Sequence, residues 1–127
     1  MPRMVRCGLI QATNVLGPDQ PLAKIKKAMV DKHLKMIAQA AKAKVQVLCL
    51  QELFYGPYFC AEQQERWYEL TEPVPDGPTI KLMQKIAAQH RMVLPAQRPS
   101  VAQEKSLFMT SGARYASRGP WAIGVIG

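Results

Sequence analysis

Cysteine is scarce: the 127 residues carry three, Cys7, Cys49 and Cys60, whose spacings of 42 and 11 residues form no CxxC pair. An odd, widely spaced set excludes a closed disulfide framework, and the apolar run in the opening MPRMVRCGLIQA is too short for a signal-peptide core. Together these features imply a reducing, cytoplasmic setting. Histidine is scarcer still, and His33 and His90 give no zinc-like spacing, so no metal and no cofactor is expected. No apolar stretch approaches the roughly 20 residues that span a bilayer, which excludes a transmembrane helix. There is no Gly-x-Ser-x-Gly elbow, no P-loop and no GxGxxG fingerprint. Acids are also few, 9 against 17 basic residues, for a net charge of +8 and a pI near 9.7. That balance permits nucleic acid, anionic membranes or acidic substrates as partners and selects none of them.

What is present is enough to fold. Apolar residues make up 48% of the chain, too many for a disordered polypeptide, and the 8 glycines and 10 prolines follow no repeat. The length suits one ordinary domain. Met4 to Ala12, MVRCGLIQA, reads as a buried first strand leaving into a Gly-Pro loop. From Pro21 to about Lys44, Leu22, Ile25, Met29, Leu34, Ile37 and Ala41 recur at steps of three to five with lysines between them, which predicts an amphipathic helix. Asp19 is its expected N-cap, with Pro21 in the first turn. Val45 to Gln51, VQVLCLQ, follows as a short apolar run suited to a strand covered on both faces. Strand, helix, strand implies a parallel pair with a right-handed crossover, and ligand sites in such sheets lie beyond the carboxyl ends of the strands.

Glu52 stands at that place. A carboxylate ending an apolar strand is either a residue leaving into solvent or a group facing a cleft, and in the second case partial burial would suit it to general-base work. Both readings are open from position alone. The aromatics Phe54, Tyr55, Tyr58 and Phe59 around Gly56-Pro57 can line a small-molecule pocket, but packing over the core is the favoured reading. A short helix is expected from Glu62 to Leu70, a second amphipathic helix from Thr79 to His90, and a third strand at Met92-Val93-Leu94, giving β-α-β-α-β. After about Pro95 no period persists and an irregular tail is expected. Arg98, Lys105, Arg114 and Arg118 against Glu104 give that tail +3 of the total charge. Cys7 and Cys49 read as small buried hydrophobes, and Cys60 as structural or incidental. The lysines of the first helix read as a solvated face in preference to a nucleic-acid surface.

The segment CLQELFYGPYFC (Cys49 to Cys60), with VRCGLIQ (Val5 to Gln11) and DGPTIKLMQKIAAQH (Asp76 to His90), resembles the carbon–nitrogen hydrolases of the nitrilase superfamily. Within that superfamily it is most similar to the branch of the beta-ureidopropionases and N-carbamoylputrescine amidases, over roughly residues 4 to 94. The resemblance implies an α/β fold, part of an α-β-β-α sandwich, and a small ureido or amide substrate cleaved at a non-peptide C–N bond. It implies a Glu-Lys-Cys triad of general base, oxyanion-stabilising cation and thioester-forming nucleophile. Glu52 matches the catalytic glutamate, and Tyr58 and Phe59 are the expected substrate contacts. Homo-oligomers are implied for intact members, with no part for nucleic acid or membrane.

The lysine and cysteine motifs of the triad are not found. Lys105, in AQEKSLF, does not match the lysine motif, and AIGVIG (Ala122 to Gly127) resembles the strand before the nucleophile without supplying a cysteine. Residues 1–94 are therefore expected to form the N-terminal part of a hydrolase domain, roughly its first third to half. Residues 95–127 are expected to be a divergent tail arising by internal deletion or frameshift. The chain is expected to be inactive, the alternatives being a non-catalytic chain that associates with itself or a full-length homologue, and a small basic nucleic-acid-binding protein.

Overall fold

The computed structural model describes residues 4–58, 61–62, 64–73, 76–101 and 107–112. β1 (Cys7–Leu9) and β2 (Val47–Cys49) are parallel and in register, Cys7 opposite Val47 and Leu9 opposite Cys49. The crossover between them is α1 (Leu22–Lys42), 21 residues long. α2 (Pro78–His90) leads back to the sheet, where Val93 bridges Val47 in parallel. The expected third strand is therefore held by this bridge and by the bonds Leu48 N–H to Val93 O (2.9 Å) and Val93 N–H to Gln46 O (2.8 Å). Between β2 and α2 the expected short helix is a 3-10 helix, Glu65–Leu70, which seals Trp67 and Leu70 against the core.

The core lies between the helices and one face of this sheet. Leu48 and Leu50 from β2 and its exit, Ile10 after β1, and Met92 and Leu94 beside Val93 meet Ile25, Met29 and Ile37 of α1 and Met83 and Ala87 of α2. Strand alternation sends the intervening residues the other way. Cys7 and Cys49 are both exposed, Leu9 is 72% exposed and Val5 56%. This corrects two expectations: the cysteines are not buried, and β2 is covered on one face only. Gly8 sits on the covered face, where an added Cβ would stand 3.0 Å from Leu48 Cδ1 and 3.2 Å from Val45 Cγ1, so α1's exit and β2 close directly over the backbone.

Asp19 does not cap α1. It is taken up in a turn closed by Gln20 N–H to Gly17 O (3.3 Å), and Pro21 occupies the cap position, its carbonyl accepting from Lys24 and Ile25 N–H. Both helices end alike. Lys44 N–H bonds Ala41 O and Val45 N–H bonds Ala40 O, while Arg91 N–H bonds Ala88 O and Met92 N–H bonds Ala87 O. Lys44 (φ 60°) and Arg91 (φ 52°) supply the left-handed residue that such a helix end requires. Each end turns the chain straight into the next strand.

The tail is not irregular throughout. β3 (Ala96–Val101) pairs antiparallel with β4 (Leu107–Gly112), Ala96 opposite Gly112 and Val101 opposite Leu107. Neither strand carries a clean alternation in sequence, and Pro99 lies within β3, so the pairing is made by backbone complementarity and not by an apolar period. The strand-like end of the tail, Ala122 to Gly127, lies outside the described residues.

Candidate functional site

Parallel pairing brings the carboxyl ends of three segments to one edge. Ile10 N–H bonds Cys49 O (2.9 Å) and Leu50 N–H bonds Pro95 O (3.2 Å), so residues 10–12, 50–52 and 94–95 leave the sheet side by side. The Gln51 side-chain oxygen accepts from Ala12 N–H and ties the first two exits together. Glu52 follows at once and opens a turn running through Tyr55.

Glu52 is exposed, so the partial burial considered for it is not realised. Among the described residues no hydrogen bond or ion pair reaches its carboxylate. The backbone behind it is constrained. Leu53 adopts φ 52° although it carries a side chain, and that side chain is buried. Gly56 N–H closes the turn on Leu53 O (3.2 Å).

The aromatic loop divides between core and surface. Phe54 and Tyr55 are fully buried, packed edge to face at 5.3 Å, and Tyr55 Oη donates to Leu70 O (2.8 Å). These two are packing residues. Tyr58 is 62% exposed and Phe59 lies outside the described residues, as does Cys60.

Two titratable groups that sequence reasoning did not place are buried beneath this loop. Glu72 is 4% exposed and accepts from Thr79 N–H (2.8 Å), Thr79 Oγ1 (2.5 Å) and the Lys26 ammonium. Burial by itself would raise its carboxyl; Lys26 and the Thr79 bonds more than reverse this and hold it below the ordinary value. The carboxylate occupies the N-terminal turn of α2, and Gly77 must lack a side chain because a Cβ there would stand 2.7 Å from Glu72 Oε2 and 2.8 Å from Pro73 O. A carboxylate shortly before a Gly-Pro-Thr helix start was a signal for this role. His33 is wholly buried on α1, with Nδ1 2.8 Å from Met29 O. Burial lowers its pKa, against the Met29 carbonyl and with the nearby Lys32. Being neither apolar nor part of a cluster, it gave the sequence pattern nothing to catch.

Lys26, counted in sequence as part of a cationic face, is thus a half-buried partner of Glu72, and Lys32 donates to Thr13 O (2.7 Å). Among the described residues no group of His, Cys, Asp or Glu could hold a metal ion, and no helix is long and apolar enough to cross a membrane.

A family model described as carbon–nitrogen hydrolase matches residues 8–113, past Leu94 and through β3 and β4. The chain is 38% identical over 93 residues to a beta-ureidopropionase of Arabidopsis thaliana, covering 73% of this chain and 22% of that protein. It is 34% identical over 61 residues to an N-carbamoylputrescine amidase of the same plant, covering 48% and 20%. Among solved structures it superposes on a carbon–nitrogen hydrolase from Helicobacter pylori G27 with a TM-score of 0.70 at 18% identity, covering 87% of this chain and 36% of that one. The chain spans about a fifth of the length of the curated relatives it matches.

Proposed function

We propose that this chain, which belongs to the carbon–nitrogen hydrolase family, carries the general-base portion of a site for hydrolysing N-carbamoyl amines or linear amides. The observation that supports this is Glu52, set just beyond the carboxyl end of β2 where three parallel segments leave the sheet. In the proposed chemistry Glu52 takes the proton of an attacking thiol, and a fixed cation stabilises charge developing on the carbonyl oxygen. The thiolate adds to the carbonyl carbon, the C–N bond breaks as Glu52 passes its proton to the departing nitrogen, and water hydrolyses the thioester that is left. Tyr58 and Phe59, beyond the aromatic turn, contact the substrate in this reading.

Thiol and cation are the parts these 127 residues do not provide. Cys7 and Cys49 are on the sheet face away from the helices, and no cysteine follows Cys60. A polypeptide of this sequence is accordingly inactive by itself. Purified chain incubated with N-carbamoyl-β-alanine or N-carbamoylputrescine should release no ammonia above buffer. Ammonia release that Glu52→Gln abolishes would overturn the inactivity.

A second reading is favoured by the open sheet face. Leu9, Val5, Cys7 and Cys49 are exposed on one side of a parallel sheet, an arrangement ordinarily covered on both faces. In this reading the chain associates with itself or with a full-length homologue through that face. A concentration-independent monomer by light scattering would exclude self-association.

A further inference from the structure

α1 turns two polar side chains inward beneath the turn that carries Glu52. Lys26 and His33 are seven residues apart, two helical turns, on the face that also buries Met29. They meet successive residues of the turn. The His33 ring packs edge to face on Phe54, with centroids 5.2 Å apart and planes at 68°. The Lys26 ammonium lies 4.7 Å from the Tyr55 ring centroid.

Each is fixed from behind. His33 Nδ1–H is given to Met29 O, which leaves Nε2 as a lone-pair nitrogen, buried and without a hydrogen-bond partner among the described residues. The ring is therefore held in one orientation. Lys26 is paired with Glu72, whose other bonds go to Thr79 at the start of α2. Tyr55 is tied at its far end to Leu70 O. The turn itself is strained: it closes through Gly56 N–H to Leu53 O and holds Leu53 in a left-handed conformation. For a residue with a side chain that conformation costs on the order of 1 kcal/mol and persists where the surroundings over-determine it.

We propose that Lys26 and His33 are positioning residues for Glu52: by pinning Tyr55 and Phe54 from below, they hold Leu53 left-handed and so fix where the Glu52 carboxylate emerges. The purpose of this positioning rests on Glu52 being the base, whereas the positioning itself can be read without substrate.

Amide hydrogen exchange on the 127-residue chain tests it, with Gly56 N–H reporting the turn and Leu48 N–H, bonded to Val93 O, reporting the sheet. Lys26→Met and His33→Leu should each accelerate Gly56 exchange about tenfold more than Leu48 exchange. Lys26→Arg, which keeps a cation for Glu72 and Tyr55, should restore Gly56 protection to within about threefold of the parent. Equal acceleration of both amides, or none at Gly56, would overturn the proposal. If one variant does not fold, the other decides, since the two side chains act on different rings. A Glu52 without catalytic part would leave the exchange result standing, so the two failures are distinguishable.

Discussion

His33 and Glu72 make the stability of this chain depend on pH through two residues. His33 is buried in its neutral form with its pKa lowered from 6.5, so below that value the unfolded chain binds a proton that the folded chain resists. Its contribution is present above pH 6.5 and is lost as pH falls toward its folded pKa. Glu72 is held below its ordinary 4.5 by Lys26 and Thr79 against its burial, so its contribution is present above that value and is lost as pH falls through the depressed folded pKa. Urea unfolding at about pH 7.5, 5.5 and 3.5 should show stability falling over both intervals. His33→Leu should flatten the upper fall and Glu72→Gln the lower. Glu52 was legible in the sequence because a charge at the end of an apolar strand is conspicuous. His33 was not, because it interrupts an apolar stripe that reads complete without it.

At the scale of elements, the helices were legible from their period to within two residues at each end, but the left-handed residues that close them were not. The buried residues of α1, Ile25, Met29, His33 and Ile37, recur every fourth position, and those of α2, Thr79, Met83 and Ala87, do the same. Where each helix stops was decided by closure onto the sheet. Lys44 and Arg91 take the left-handed position usually filled by glycine, and both side chains are exposed, so nothing is lost by removing them. Lys44→Gly and Arg91→Gly should each stabilise the chain by about 1 kcal/mol, read as a higher urea midpoint with unchanged slope. A loss of stability would mean that the side chains make contacts that outweigh the backbone strain. The strands were less legible. VQVLCLQ holds an unbroken apolar run from Val47 to Leu50, which pointed to two covered faces, yet only Leu48 and Leu50 are buried.

For the whole molecule, that uncovered face is the main consequence. Val5, Cys7, Leu9, Val47, Cys49 and Val93 alternate out of three parallel segments on the side away from α1 and α2. Leu9, 72% exposed and opposite Cys49 in the register, offers the cleanest probe. If the face mediates self-association, Leu9→Lys should raise the dissociation constant measured by sedimentation about tenfold or more, with the urea midpoint nearly unchanged because little buried area is lost. An unchanged constant would place the association elsewhere.

The amino-acid sequence by itself determined the helical periods, the parallel order implied by strand-helix-strand, and the placing of Glu52 at the strand exit. All of these depend on local spacing and chain connectivity. The resemblance carried by residues 49 to 60 likewise led to the hydrolase family. Tertiary structure alone decided that Phe54 and Tyr55, and not Tyr58, fulfil the packing favoured for the aromatic loop, that Lys26 leaves the cationic face to pair with Glu72, and that β3 and β4 pair beyond Leu94. Those outcomes depend on which surfaces meet once α1 crosses the sheet. Burial and electrostatic partners are properties of that juxtaposition, and no one-dimensional pattern encodes them.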